Sequence, residues 1–227
     1  MAMTFDQYVA YHLRGDAGIE ERTIAAISRS IGLSEWEAFR LVYYYATTYH
    51  IPSALSMLLD GERDVKRLKF RTDRRYVRCN GAFPRLLAEL TPDKLEALRA
   101  ATTTAEAYKV VRGWFFFGRY AAFLFLECWM NVARPAWADD IRLGWEPDEN
   151  YTKGAVEIAR SNDRAALDDF LNRARAATRD NAFAIETSLC AVAKFAKGTR
   201  WDGYYTERML SDAEGTKWHN LIYKCAN

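Results

Sequence analysis

The sequence predicts an all-α protein: one helical domain spanning residues 1–227, packed around a buried central helix. Apolar residues recur at three- and four-residue spacing along most of the chain, and strand-like alternation is hardly seen. One stretch, RGWFFFGRYAAFLFLECWMNV from Arg112 to Val132, is apolar on every side of a helix except at Arg119 and Glu127. A helix of that kind is enclosed by other helices or by lipid. Spanning a bilayer takes about 20 residues with few charges. Here the uncharged run from Tyr120 to Leu126 is bounded by Arg119 and Glu127, so burial within protein is expected.

The elements follow in order. Phe5, Val9 and Leu13 share one face of a first helix, and Ile24, Ile27 and Ile31 one face of a second that Gly32 stops. Ser34 and Glu37 form a capping box that opens a third helix with a Trp36, Phe39 and Tyr43 stripe. Pro52 belongs in a first helical turn and disfavours helix in the residue before it, so the chain breaks at His50 and Ile51 and restarts toward Asp60, with Gly61 beyond. Thr91, Pro92 and Asp93 open another helix, and Thr103 with Glu106 makes a second capping box leading to the central helix. Asp139 to Asn150 reads as a loop and Asp163 to Ala177 as an amphipathic helix. In the helix around Ile185, Leu189 and Val192, these three face the core while Glu186, Cys190 and Lys194 line up at spacing four.

Composition narrows the function classes. With 227 residues and 50% hydrophobic content, the chain can bury a substantial core. A net charge of +2 does not announce a nucleic-acid binder, but the charge is unevenly placed. Lys66, Arg67, Lys69, Arg71, Arg74, Arg75, Arg78 and Arg85 fall in one segment opposed by Asp73. Interleaved with Phe70, Tyr76 and Phe83, they suit a groove that tracks a phosphate backbone, or else an ordinary solvated face. The four cysteines and three histidines show no metal-ligand spacing, so reduced thiols in a cytoplasm and no metal site are expected. The first residues lack the apolar core of a signal peptide.

Several short stretches have residue types suited to chemistry. TTYHIPSA, residues 47–54, would present free N–H groups at a helix start beside Thr47, Thr48, Tyr49, His50 and Ser53, an arrangement that suits an anion or, more plainly, caps a kink. FGRY at 117–120 pairs a glycine with an arginine fork for phosphate or carboxylate; alternatively, Arg119 and Glu127 form an internal ion pair. Cys190 beside Lys194 is either an activated thiol or a buried structural one next to surface charges. Arg208 follows an aromatic turn, and the tail beyond residue 214 has no legible role.

TTYHIPSA at 47–54, LKFRTDRRY at 68–76, FGRYAAFLFLE at 117–127, ETSLCAVAKFAKG at 186–198 and GYYTERMLSDAE at 203–214 resemble, in that order, the amino acid:DNA transferases of bacteriophages, which belong with the alpha-glutamyl/putrescinyl thymine pyrophosphorylases. The resemblance covers residues 35–214. It departs from the family pattern at Arg71 and Arg74, which flank Thr72 and Asp73.

The resemblance implies thymidine hypermodification: pyrophosphate is displaced from 5-pyrophosphoryloxymethyluracil in double-stranded phage DNA by an amino acid or polyamine, in the cytoplasm of the infected host. It also implies an all-helical DNA-glycosylase-like fold that flips a base into a pocket. On that reading Tyr49, Tyr120 and Tyr205 stack the base, while Thr47, Thr48, Thr72, Arg75, Arg119, Lys194 and Arg208 hold base or pyrophosphate. Asp73, Glu186 or His50 takes the proton of the amine, and Cys190 adds to C6 of the uracil. Lys66, Arg67, Lys69, Arg71, Arg74 and Arg78 contact the DNA backbone. No cofactor is implied beyond a magnesium ion that enters with pyrophosphate. A base-excising enzyme and a non-catalytic helical DNA-binding protein are the competing classes.

Overall fold

The computed structural model describes residues 3–71, 74–141, 143 and 153–226. Among them there are α-helices and a short 3-10 turn, Ala136–Asp140, and no strand. The helices in chain order begin with α1 (Phe5–Leu13), α2 (Ile19–Ser30), α3 (Glu35–Thr48) and α4 (Ile51–Leu59). Next come α5 (Arg75–Cys79), α6 (Phe83–Ala88), α7 (Pro92–Arg99), α8 (Thr104–Arg112) and α9 (Arg119–Ala133). The chain ends with α10 (Lys153–Ala159), α11 (Arg164–Thr178), α12 (Ala182–Ala196), α13 (Tyr204–Ala213) and α14 (His219–Ala226).

Local signals place many of these boundaries. Ser34 and Glu37 make the expected reciprocal capping box at the start of α3. Gly32 takes φ 66°, the left-handed conformation that ends α2 cheaply for a residue without Cβ. Asp163 caps α11 by accepting from Ala166 N–H. At α8 the box is only half formed: Thr103 accepts from Glu106 N–H, while the Glu106 carboxylate takes the N–H and hydroxyl of Thr102.

The chain divides into two compact units. One comprises residues 1–19 and 137–207, in which α1, α10, α11 and α12 pack together. Ile185, Leu189 and Val192 are buried there, as their spacing predicts. The buried side chains of α1 are Tyr8 and Tyr11; on the Phe5, Val9 and Leu13 face the first two are half-buried and Leu13 is 60% exposed. Burial of Tyr8 is made tolerable by Ile185 C=O and Ser188 Oγ, which satisfy its hydroxyl at 3.2 and 2.9 Å. The expected loop from 139 to 150 lies largely outside the described residues.

The other unit comprises residues 20–136 and 208–227, and α3 is its axis, packed on α4 and α9. Every residue from Leu41 to His50 is buried, so α3 shares the enclosed position expected of the apolar stretch from 112 to 132. That stretch is not one helix. The helix α8 ends at Arg112, Phe116 turns into the left-handed region at φ 62°, and extended Gly118 precedes α9. The turn is held by Arg74, whose two Nη groups donate to Phe116 C=O at 3.2 Å. No helix among the described residues is long and apolar enough to cross a membrane.

Candidate functional site

The site forms within the second unit, around a buried carboxylate that the sequence reading did not single out. Glu20, in the first turn of α2, is 2% exposed. Arg71 Nη1 donates to its two oxygens at 2.7 and 2.9 Å, Arg208 Nη2 at 2.7 Å, and Tyr45 Oη at 2.7 Å. Arg71 is also ion-paired with Asp212, one turn beyond Arg208 on α13. The Tyr45 hydroxyl also lies 3.0 Å from a carboxyl oxygen of the adjacent buried Glu21.

Tyr49 closes the cluster. It ends α3 in the left-handed conformation at φ 52°, which turns its ring toward both guanidinium groups. The Arg208 and Arg71 carbons lie 5.4 and 5.7 Å from the ring centroid, within cation–π range. Its edges meet Tyr45 and Tyr120 in T-shaped contacts at 5.6 and 5.7 Å.

Electrostatics divides the two carboxylates. Burial acts to raise the Glu20 carboxyl, but Arg71, Arg208 and the Tyr45 hydroxyl outweigh it and hold the group below the usual carboxylate range. Glu21 has no such pair of cations. Burial and then the charge of Glu20 push it up to about 7. The Cys128 thiol behind them is pushed up by burial and by Glu21 and Glu127. Two neighbouring carboxyls set apart in this way can hold one fixed charge and one exchangeable proton near neutral pH.

A cavity of about 200 Å³ opens at the start of α4, lined in part by His50, Ser53, Ser56, Lys69, Lys217 and Trp218. Ser53 Oγ accepts from Lys69 N–H at 2.9 Å, and Trp218 Nε1 donates to Ser56 Oγ at 2.9 Å. Lys217 is paired with Asp60, whereas Lys69 makes no ion pair among the described residues. The Ser56 hydroxyl and the uncompensated Lys69 ammonium at a helix start suit an oxyanion. The tail whose role was not legible therefore supplies one wall of this cavity through Lys217 and Trp218.

The expected residues divide accordingly. Tyr49, Arg208 and Tyr120 join the cluster. Arg119 is half-buried at the start of α9. His50 is the N-cap of α4: its Nδ1 accepts from Ser53 N–H and sits 2.9 Å from Ser53 Oγ. Because Nδ1 accepts from Ser53 N–H it carries no proton, so the Ser53 hydroxyl is the donor toward it and the imidazole proton resides on Nε2, 3.8 Å from Asp212 Oδ1. Burial, Arg71 and Lys69 bring the imidazole down to about 3. With Nδ1 committed to the cap, His50 is a poor proton acceptor, which corrects its assignment as a base.

Thr47 and Thr48 are wholly buried, with Thr48 Oγ1 bonded to Tyr44 C=O at 2.8 Å, so they face the core rather than a pyrophosphate. Arg71 and Arg74 likewise turn inward, Arg74 donating to Thr47 C=O and Phe116 C=O, which corrects their assignment to the DNA backbone. Lys66, Arg67, Lys69, Arg75 and Arg78 are exposed. Thr72 and Asp73 lie outside the described residues.

Glu186, Cys190, Lys194 and Tyr205 belong to the first unit. There Lys194 is exposed as expected, but Cys190 is exposed rather than buried, and Glu186 is buried, its carboxyl pushed up to about 8 by burial. Tyr205 N–H donates to Asp16 at 3.2 Å. Glu20 and Glu21 were missed because acids in a first helical turn read as solvent-facing partners of the dipole; Tyr45, within α3, and Asp212, near the end of α13, carry no local sign of these partners. No group of three or more metal-capable side chains occurs among the described residues. No family model matches the chain, and no curated protein or solved structure matches it either.

Proposed function

We propose that the chain is a transferase that displaces pyrophosphate from 5-pyrophosphoryloxymethyluracil in DNA with an amino acid or amine. One observation carries the reading. The segments 47–54, 68–76, 117–127 and 203–214, far apart in sequence, contribute Tyr49, Arg71, Tyr120, Arg208 and Asp212 to a single half-buried cluster around the buried Glu20. Such clustering of charge and aromatic rings, partly shielded from water, suits a reaction in which charge separates.

On this reading the donor nitrogen attacks the 5-methylene carbon, the carbon–oxygen bond breaks, and pyrophosphate leaves with the bonding electrons. Glu21, poised near neutrality, receives the amine proton. The hydroxyl- and lysine-lined cavity at the start of α4 takes the departing anion, with magnesium entering only as its counter-ion. Tyr49 and Tyr120 supply stacking for a flipped base.

The test is incubation of the purified protein with DNA carrying the activated base and a mixture of amino acids and polyamines, followed by digestion and nucleoside mass spectrometry. A new thymidine adduct with equimolar pyrophosphate is expected, and it should be strongly reduced in Lys69→Gln. Unchanged nucleoside with every donor, although the DNA is bound, refutes the transferase. Free base with abasic sites assigns the chain to the excising class instead.

A further inference from the structure

The first unit has a surface that the reaction above does not use. The turn after α12, from Lys194 to Tyr204, reads KFAKGTRWDGY and contains Lys194, Lys197 and Arg200 against a single acid, Asp202. Asp202 is already paired with Arg14 at 3.2 Å. Three large apolar side chains stand in solvent here: Trp201 at 53% exposure, Phe195 at 36% and Leu13 at 60%.

Two of them, Phe195 and Trp201, are joined through neighbouring side chains. Phe195 meets Tyr11 at 6.1 Å, and Arg14 lies 5.5 Å from the Tyr11 ring before reaching Asp202. Trp201 and Tyr204 meet at right angles at 4.8 Å, and Arg200 covers the Tyr204 ring at 4.2 Å.

The exposed indole is held in place. Trp201 Nε1 donates to Glu207 Oε2 at 2.9 Å, which fixes the ring while leaving half the residue uncovered. Thr199 ties the turn to Lys194 C=O through both its N–H and its hydroxyl, at 3.1 and 2.9 Å. Gly198 and Gly203 take φ 67° and 86°, conformations open to glycine, to bend the chain on either side of the indole. A large apolar ring restrained in water gains nothing in folding from its uncovered half. A stacking partner that enters such a fixed ring meets little ordering cost.

We propose that this turn is a stacking platform for an unpaired nucleic-acid strand, with a base laid on Trp201 and the neighbouring phosphates held by Lys197 and Arg200. The combination of cations spaced along a strand and an open aromatic face is what sequence-tolerant single-strand binding uses. A protein partner would favour a patch less rich in lysine. The inference is independent of the transferase reading, because it requires no activated base and no residue of the Glu20 cluster.

The test measures binding of the full chain to a fluorescein-labelled twelve-residue oligothymidylate by anisotropy at several salt concentrations. Trp201→Ala should weaken binding roughly five- to a hundredfold, the range of one base–aromatic stack, and Trp201→Phe should restore most of it. Lys197→Gln with Arg200→Gln should flatten the slope of log affinity against log salt by about 1.4, two single-strand phosphate contacts. Circular dichroism of each variant shows whether the fold is kept. Affinity within twofold of the parent in a folded Trp201→Ala protein overturns the proposal. So does binding to vesicles of three parts phosphatidylcholine and one part phosphatidylserine that depends on Trp201 while oligothymidylate binding does not.

Discussion

Removing the charge of Glu20 tests whether one carboxylate organises the site. Glu20→Gln keeps the shape of the side chain but leaves Arg71 and Arg208 facing each other across a neutral amide in a position only 2% exposed. At an effective dielectric near 20, each guanidinium about 4 Å from the carboxylate charge contributes about 4 kcal/mol of attraction. The desolvation of three charges opposes this, and measured losses for breaking a buried pair are about 3–5 kcal/mol. For a chain of this size that corresponds to a Tm lower by roughly 6–20 °C. The assay is urea and thermal unfolding followed by tryptophan fluorescence, on Glu20→Gln, Arg208→Met and the double variant. If the cluster is a coupled unit, the double variant loses less than the sum of the singles by about 1–3 kcal/mol. A Glu20→Gln loss under about 1 kcal/mol, or strict additivity, refutes the reasoning.

Three further outcomes are expected. Glu186, raised to about 8 by burial, is protonated in the folded chain and ionised in the unfolded one between roughly pH 4.5 and 8, so it erodes stability as pH rises through that window. Glu186→Gln should therefore flatten the pH dependence of Tm and be the more stable form at pH 9; parallel profiles would refute the assignment. His50 is held neutral, so its contribution is complete above its ordinary value of 6.5 and falls as pH drops toward 3. Replacing it by Ala should cost about 1 kcal/mol as the α4 cap is lost, while Asn should recover much of that in urea unfolding. Gly154 lies where a Cβ would meet Leu189 C=O at 2.8 Å and Leu189 Cβ at 2.9 Å, so Gly154→Ala should force α10 and α12 apart and cost about 1–3 kcal/mol, visible as a lower thermal midpoint.

What the sequence by itself determined was local. The all-α class, the capping box at Ser34 and Glu37, the stop at Gly32 and the break before Pro52 rest on bonds closed within a turn or two, so the residues that make them are neighbours on the page. Tyr49, Tyr120 and Arg208 could be named from motif resemblance, but not what they touch. Only the tertiary structure decided that the apolar stretch from 112 to 132 breaks at Phe116, because the arginine that holds the turn lies 42 residues earlier. It also turned Arg71 and Arg74 inward from what reads as a solvated basic segment, and buried Glu20 and Glu21 in a helix start where acids usually face water. The arginine partners of Glu20 lie 51 and 188 residues away, and no periodicity records contacts at that distance. A charge is stabilised by whatever the fold brings to it, so its role is fixed only when the helices that carry its partners have packed.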